Sequence, residues 1–144
     1  MTGQEVAAEW VNIETLKPWE NNPRKNEHAV SAVAESIKRF GFAAPIIART
    51  DGEVIAGHTR LKAAQALGLD RVPVRYMDLD PADAKLLALA DNKVGELAEW
   101  DDDRLSDILN ELHADGVDLD GIGFSLEELG EIMALGAEPP EEEF

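Results

Sequence analysis

The stretch Ile55-Ala56-Gly57-His58-Thr59-Arg60-Leu61 runs from an apolar pair into a glycine, an imidazole, a hydroxyl and a guanidinium. Glycine can bring backbone close to a ligand or adopt a dihedral barred to other residues. If a helix opens at His58, its first N–H groups lack partners and its end carries about half a positive charge. That is an anion site, to which Thr59 adds a hydroxyl and Arg60 a fork that matches phosphate. A plainer reading also fits: Thr59 caps the helix, His58 sits on the surface and Arg60 pairs with a carboxylate. These four residues alone do not separate the two.

Two further stretches bear on the choice. "NNPRK" places Arg24 and Lys25 on a stiff loop, either as phosphate ligands or as a solvated turn. "LLALADNKV" ends a helix with Asp91 and Asn92, whose hard oxygens suit Mg²⁺ beside a nucleotide phosphate. The alternative for Asn92 is a helix C-cap. Other chemistries are excluded. There is no GxxxxGK[ST] and no GxGxxG, the three histidines lack metal-ligand spacing, and no cysteine is available for thiolate or disulfide chemistry. "AAQALGLDRVPV" faintly suggests a helix-turn-helix, but Pro73 forces an extended segment where a recognition helix would begin. The tryptophans at 10, 19 and 100 are read as packing anchors rather than a stacking platform.

The elements that must hold these residues follow from patterning. "EWVNIETLKP" alternates as a first strand through Val11 and Ile13 and ends at Pro18. Asn26 caps a helix with Val30, Val33, Ala34 and Ile37 on one stripe, ended by Gly41. "APIIART" and "EVIAG" are strands joined by a two-residue hairpin turn, Asp51-Gly52. "TRLKAAQAL" is a helix stopped by Gly68, and "RVPVRYM" a strand. The second half is helical. Asp80-Pro81 starts "ADAKLLALA", a helix from Asp101–Asp103 runs to Gly116, and Ser125 with Glu128 forms a capping box for "LEELGEIMAL". The expectation is an α+β fold: a small mixed sheet with helices over residues 1–100, an acidic helical extension over 101–136, and a linker or disordered tail over 137–144.

Charge divides the chain in the same place. Residues 1–76 carry ten Lys/Arg against nine Asp/Glu, whereas residues 77–144 carry three against twenty-one. The acidic half repels a phosphate backbone and cannot be a DNA-binding footprint, so anion chemistry belongs in the first half. Solubility is the preferred reading of the acidity; a docking surface or nucleic-acid mimic is the other. No apolar run is long enough to span a bilayer, and the N-terminus lacks the pattern of a secretory signal, so a cytoplasmic protein without membrane contact is expected.

In this order and spacing, "LKPWENNPRK", "GFAAPIIART", "DGEVIAGHTRLKAAQALGLDRVPV" and "ALADNKV" resemble the ParB/sulfiredoxin-like fold. They are similar in particular to the ParB-like N-terminal domains of bacterial and phage DNA modification methyltransferases, over roughly Val11 to Trp100. The resemblance implies a nucleotide-phosphate site at the glycine-led motif. ParB proteins carry Gly-Glu-Arg-Arg there and bind CTP, and Gly57 and Arg60 match its first and last positions. The family's later Glu-Asn motif, which supplies Mg²⁺ ligands, aligns with Asp91-Asn92. Sulfiredoxins place a catalytic cysteine where His58 stands, which excludes that reaction.

The resulting expectation is a nucleotide-binding regulatory or targeting module in DNA modification or DNA metabolism, belonging to a DNA methyltransferase. CTP or ATP, with Mg²⁺, would be held by Gly57, His58, Thr59, Arg60 and Arg24, with the metal on Asp91 and Asn92. Glu53 and His58 are the candidates for proton transfer, and weak NTPase activity is the most catalysis expected. DNA would be reached only indirectly or through a missing domain, homodimerisation is allowed, and the chain is expected to be a fragment or a stand-alone version of a longer protein. The alternatives are a nuclease or serine-type kinase on the same site, and a non-catalytic interaction domain.

Overall fold

The computed structural model describes residues 7–20, 22, 25, 27–120 and 122–136 of the 144. In chain order it shows β1 (Glu9–Asn12), a 3-10 turn (Ile13–Thr15), α1 (Glu27–Phe40), β2 (Ile46–Arg49) and β3 (Val54–Ala56). These are followed by α2 (His58–Ala66), β4 (Arg71–Met77), α3 (Pro81–Leu97), α4 (Asp102–Ala114) and α5 (Leu126–Gly136). The chain divides after Leu97 into two compact units. The fold is α+β, as expected. No helix of the described residues is long and apolar enough to cross a membrane.

The first unit is built on a four-stranded mixed sheet of order β1-β4-β2-β3. β4 is antiparallel to β1 and parallel to β2, and β2 is antiparallel to β3. Side chains alternate across a strand, and here both faces are covered. Ile46, Ala48, Val54, Val72 and Val74 join Leu61 and Ala64 of α2 in one buried cluster. Ile55 joins Ala84 and Ala88 of α3 in another, with Ile47 and Met77 packed against it. Two-sided burial explains why "PII" and "VIA" are unbroken apolar runs rather than alternating ones. Pro73 pairs with Trp10 on β1, while pairing of β4 with β2 begins only at Val74. The missing N–H of Pro73 therefore leaves the β2 ladder intact.

Several local expectations are corrected. Ile13 does not continue β1: Asn12 Oδ1 accepts from Glu14 N at 2.9 Å and turns the chain into a 3-10 turn. The β2–β3 hairpin has a three-residue loop, not Asp51-Gly52 alone. Gly52 N donates to Arg49 O at 2.9 Å and Arg49 N to Glu53 O at 2.8 Å, with Gly52 at φ +95°. A turn followed by a left-handed glycine is the usual three-residue solution. Most consequentially, α3 does not end at Asp91-Asn92 but continues to Leu97, which puts both residues inside the helix. Asn92 is therefore not a C-cap; its Nδ2 donates to Ala88 O at 2.9 Å.

Other caps hold. Asp80 Oδ1 accepts from Asp83 N at 2.8 Å at the start of α3, and Asp101 Oδ1 accepts from Arg104 N at 3.1 Å at the start of α4. Ser125 and Glu128 bond each other's backbone N–H reciprocally at 3.0 Å ahead of α5. The helix over residues 27–40 carries Val30, Val33, Ala34 and Ile37 half-buried on one stripe; the expected cap Asn26 lies outside the described residues. The second unit has its own core of Leu105, Leu109, Leu119 and Leu129. The expected tail over 137–144 also lies outside the described residues. Trp10 meets Phe42 edge-on and Trp100 meets Phe124, yet both indoles stay more than half exposed, so they pack on one face only.

Candidate functional site

β3 ends one residue before Gly57, and α2 begins one residue after it. Gly57 has φ +95°, and a Cβ there would lie 3.2 Å from Ile46 Cα on the neighbouring strand. Dihedral and close approach both demand glycine, and together they set where α2 starts. Gly57 itself is the N-cap, not Thr59, and it makes no side-chain cap. The N–H groups of the first turn, His58 to Arg60, thus lack intrahelical acceptors, and Gly57 has no side chain to offer them a capping oxygen.

This turn lines a cavity of about 410 Å³. Asn22 and Lys25 from the loop after β1 line it as well, as do Asp91, Asn92 and Gly95 of α3. The structure therefore gathers seven of the candidate site residues singled out from sequence: Lys25, Gly57, His58, Thr59, Arg60, Asp91 and Asn92. Arg60 has no ion pair among the described residues, so its charge is not spent on a carboxylate. Arg24 lies outside the described residues; its neighbour Lys25 is the loop cation at the cavity. Glu53 is not brought there. It sits before the far end of β3, its backbone N bonded to Asp51 Oδ1 at 2.9 Å, and lines a separate crevice with Trp19 and Lys85.

His58 is half-buried rather than on the surface. Its Nε2 accepts from Trp19 N at 3.3 Å, and the two rings are 6.5 Å apart. Burial, reinforced by the Lys62 charge, holds the imidazole below its ordinary pKa of 6.5 and so neutral. Neutrality suits a ring that must accept a hydrogen bond, and it ties the loop after β1 to the start of α2. The depressed value means the unfolded chain binds a proton here that the folded chain does not. This part of the stability is present in full above pH 6.5 and is lost as pH falls below it. In urea titrations at pH 7.5 and 5.5, His58→Gln is expected to show a smaller loss on acidification than the parent; an equal loss would assign the pH dependence elsewhere.

Two lining residues, Asn22 and Gly95, are not among the candidates that the sequence offers. Gly95 gave no signal at all: it is a helix-interior glycine with open space where a Cβ would be. In charge, the cavity sets Arg60, Lys25 and the N-terminal end of α2 against the oxygens of Asp91 and Asn92. That arrangement can take a polyphosphate together with a divalent cation. Among the described residues no three acidic or histidine groups come together as a metal cage. Two oxygen donors fit Mg²⁺, which keeps most of its water and shares phosphate oxygens. Because Asn92 Nδ2 is already donating, its Oδ1 is the atom left to act as a ligand.

The model of the ParB N-terminal domain family matches residues 1–93. Over 73 residues the chain is 44% identical to the probable plasmid-partitioning protein ParB of Thermus thermophilus, covering 49% of this chain and 25% of that protein. Over 63 residues it is 41% identical to the ParB-like nuclease domain-containing protein YnaK of Escherichia coli, covering 43% of this chain and 72% of that one. Among solved structures, the C-terminally truncated chromosome-partitioning protein ParB of Caulobacter crescentus, complexed with CTP-γ-S, matches with a TM-score of 0.76 at 25% identity. That match covers 93% of this chain and 81% of the other. The chain thus spans about a quarter of the length of the plasmid-partitioning relative.

Proposed function

The chain belongs to the ParB N-terminal domain family, and from that premise we propose that it is a nucleoside-triphosphate-binding module whose cavity at the start of α2 takes the phosphates of CTP. The observation that carries this reading is the N-terminus of α2, without a side-chain cap on Gly57, opening on a cavity lined by an arginine that has no ion pair among the described residues. The CTP-γ-S complex of the Caulobacter crescentus protein, matched over 93% of this chain, supports the choice of nucleotide. Phosphate oxygens accept from the backbone N–H groups of His58 to Arg60 and from the Thr59 hydroxyl, with the helix dipole favouring their charge. Arg60 grips two oxygens at once, and Lys25 adds a point charge. Asp91 and Asn92 would hold Mg²⁺, which would neutralise phosphate charge.

The geometry favours binding over transfer chemistry. Glu53 lies away from the cavity, and the His58 acceptor nitrogen is already engaged. The similarity to partitioning proteins supports a role in DNA metabolism. Attachment to a DNA methyltransferase is the finer form of this reading, suggested by the acidic segment after Trp100. In either case DNA is met through a further segment, since residues 77–144 carry twenty-one acidic groups against three basic ones.

Calorimetric titration with CTP, ATP and ADP, with and without Mg²⁺, tests the proposal. Metal-dependent CTP binding is expected, and Asp91→Ala should remove the metal dependence before it removes binding. Silence from all three nucleotides in a folded sample would overturn the reading.

A further inference from the structure

The unit after Leu97 has a cavity of its own. Between the end of α4, the following loop and α5 lies a groove of about 630 Å³, lined by Val117, Leu119, Leu126, Leu129 and Met133. Leu126 is 83% exposed and Val117 39% exposed. Apolar side chains lie open to water here although this unit has a leucine core of its own. An apolar depression of this kind is a mark of a binding surface.

Its surroundings are strongly acidic. Residues 98–136 carry twelve Asp/Glu against a single Lys/Arg, Arg104, which pairs with Asp101 at 3.5 Å, and one histidine, His113, at the groove. Asp118 and Asp120 line the groove itself. Glu127 and Glu131, each next in sequence to a lining residue, are exposed. Such a field repels nucleic acid and anionic lipid and attracts Lys- and Arg-rich polypeptide.

The form of that polypeptide follows from what the groove lacks. The described part of this unit contains no strand, so there is no sheet edge for an added strand to pair with. Among the described residues no Trp, Tyr or Phe lines the groove, so it shows no aromatic slots of the kind that receive proline-rich segments. What is left is a floor of leucine, valine and an adaptable methionine between acidic lips, the complement of a helix with one apolar stripe and basic flanks. We propose that this groove docks a basic amphipathic helix of a partner protein.

The test uses the whole 144-residue chain and a synthetic peptide of about eighteen residues, long enough to hold a helix. Leucines stand at helical spacing and lysines fill the remaining positions. One control scrambles the same residues to break the stripe, and another replaces lysine by glutamate. Binding is followed by fluorescence anisotropy and by the methyl resonance of Met133, with that of Met77 as an internal reference. The patterned basic peptide is expected to bind and to shift Met133 alone, while both controls fail.

Leu126→Ser and Gly130→Lys should each weaken binding by about tenfold or more, the scale of losing an interface anchor. Neither variant threatens the fold, since Leu126 is exposed and a Cβ at Gly130 meets open space. Equal binding of the scrambled peptide, a shift at Met77, or indifference to both variants would overturn the proposal. So would absence of peptide binding, or tighter binding of duplex DNA or phosphatidylserine vesicles.

Discussion

Arg60→Ala is expected to weaken CTP binding by about a hundredfold while leaving the protein folded. A charge-assisted hydrogen bond is worth about 1.5–3 kcal/mol, and a guanidinium fork can make two to a triphosphate. Truncation should cost the fold little, because Arg60 has no ion pair among the described residues that would be left orphaned. Stability should stay within about 0.5 kcal/mol of the parent, as for substitutions outside the core. Arg60→Lys separates geometry from charge. It keeps a cation at the cavity but loses the planar fork, so it should recover only part of the affinity. Calorimetry for binding and urea unfolding for stability measure both quantities. Unchanged affinity in a folded Arg60→Ala protein would remove the phosphate site from this helix end.

Gly57→Ala should damage both stability and binding. The backbone there has φ +95°, a region where a side chain costs about 1–3 kcal/mol. In addition, the new Cβ would sit 3.2 Å from Ile46 Cα and 3.3 Å from its Cγ1, in the interior of the sheet. Ile46 is fully buried and a main-chain atom cannot swing aside, so the start of α2 has to move. That shift would carry the first-turn N–H groups with it and weaken CTP binding. Gly41→Ala is the control, since Gly41 has φ +82° but open space around its Cβ. It meets the dihedral cost alone. Urea midpoints of the two variants isolate the close approach, and equal destabilisation would show that only the dihedral requires glycine at 57.

Where sequence and structure agree, the information is local. The helix over residues 27–40 and the strand over 71–77 announce themselves by periodicity and by the turn residues that flank them. Asp80, Asp101 and the Ser125–Glu128 pair act within three residues of where they stand, so the capping pattern suffices to find them. Where they part, two local preferences compete and a distant contact decides. Asn92 has the look of a C-cap, but Ala84 and Ala88 pack on Ile55 and the helix runs on to Leu97. Glu53 is close to Gly57 in sequence, yet the extended β3 between them puts it at the other end of the strand. His58 reads as a surface residue until Trp19, thirty-nine positions earlier, donates to it.

By itself the sequence determined the α+β class, the division into a near-neutral first half and an acidic second, and the glycine-led turn at residues 57–60 as the candidate for an anion site. These follow from composition, periodicity and short-range hydrogen bonding, which need no knowledge of what lies across the fold. Only the tertiary structure decided which groups share the cavity. It brought the middle of α3 and the loop after β1 to the start of α2, chose Lys25 as the described loop cation and left Glu53 outside. The physical reason is that a site assembled from segments tens of residues apart is held by burial on both faces of the sheet, and burial is a property of the whole chain.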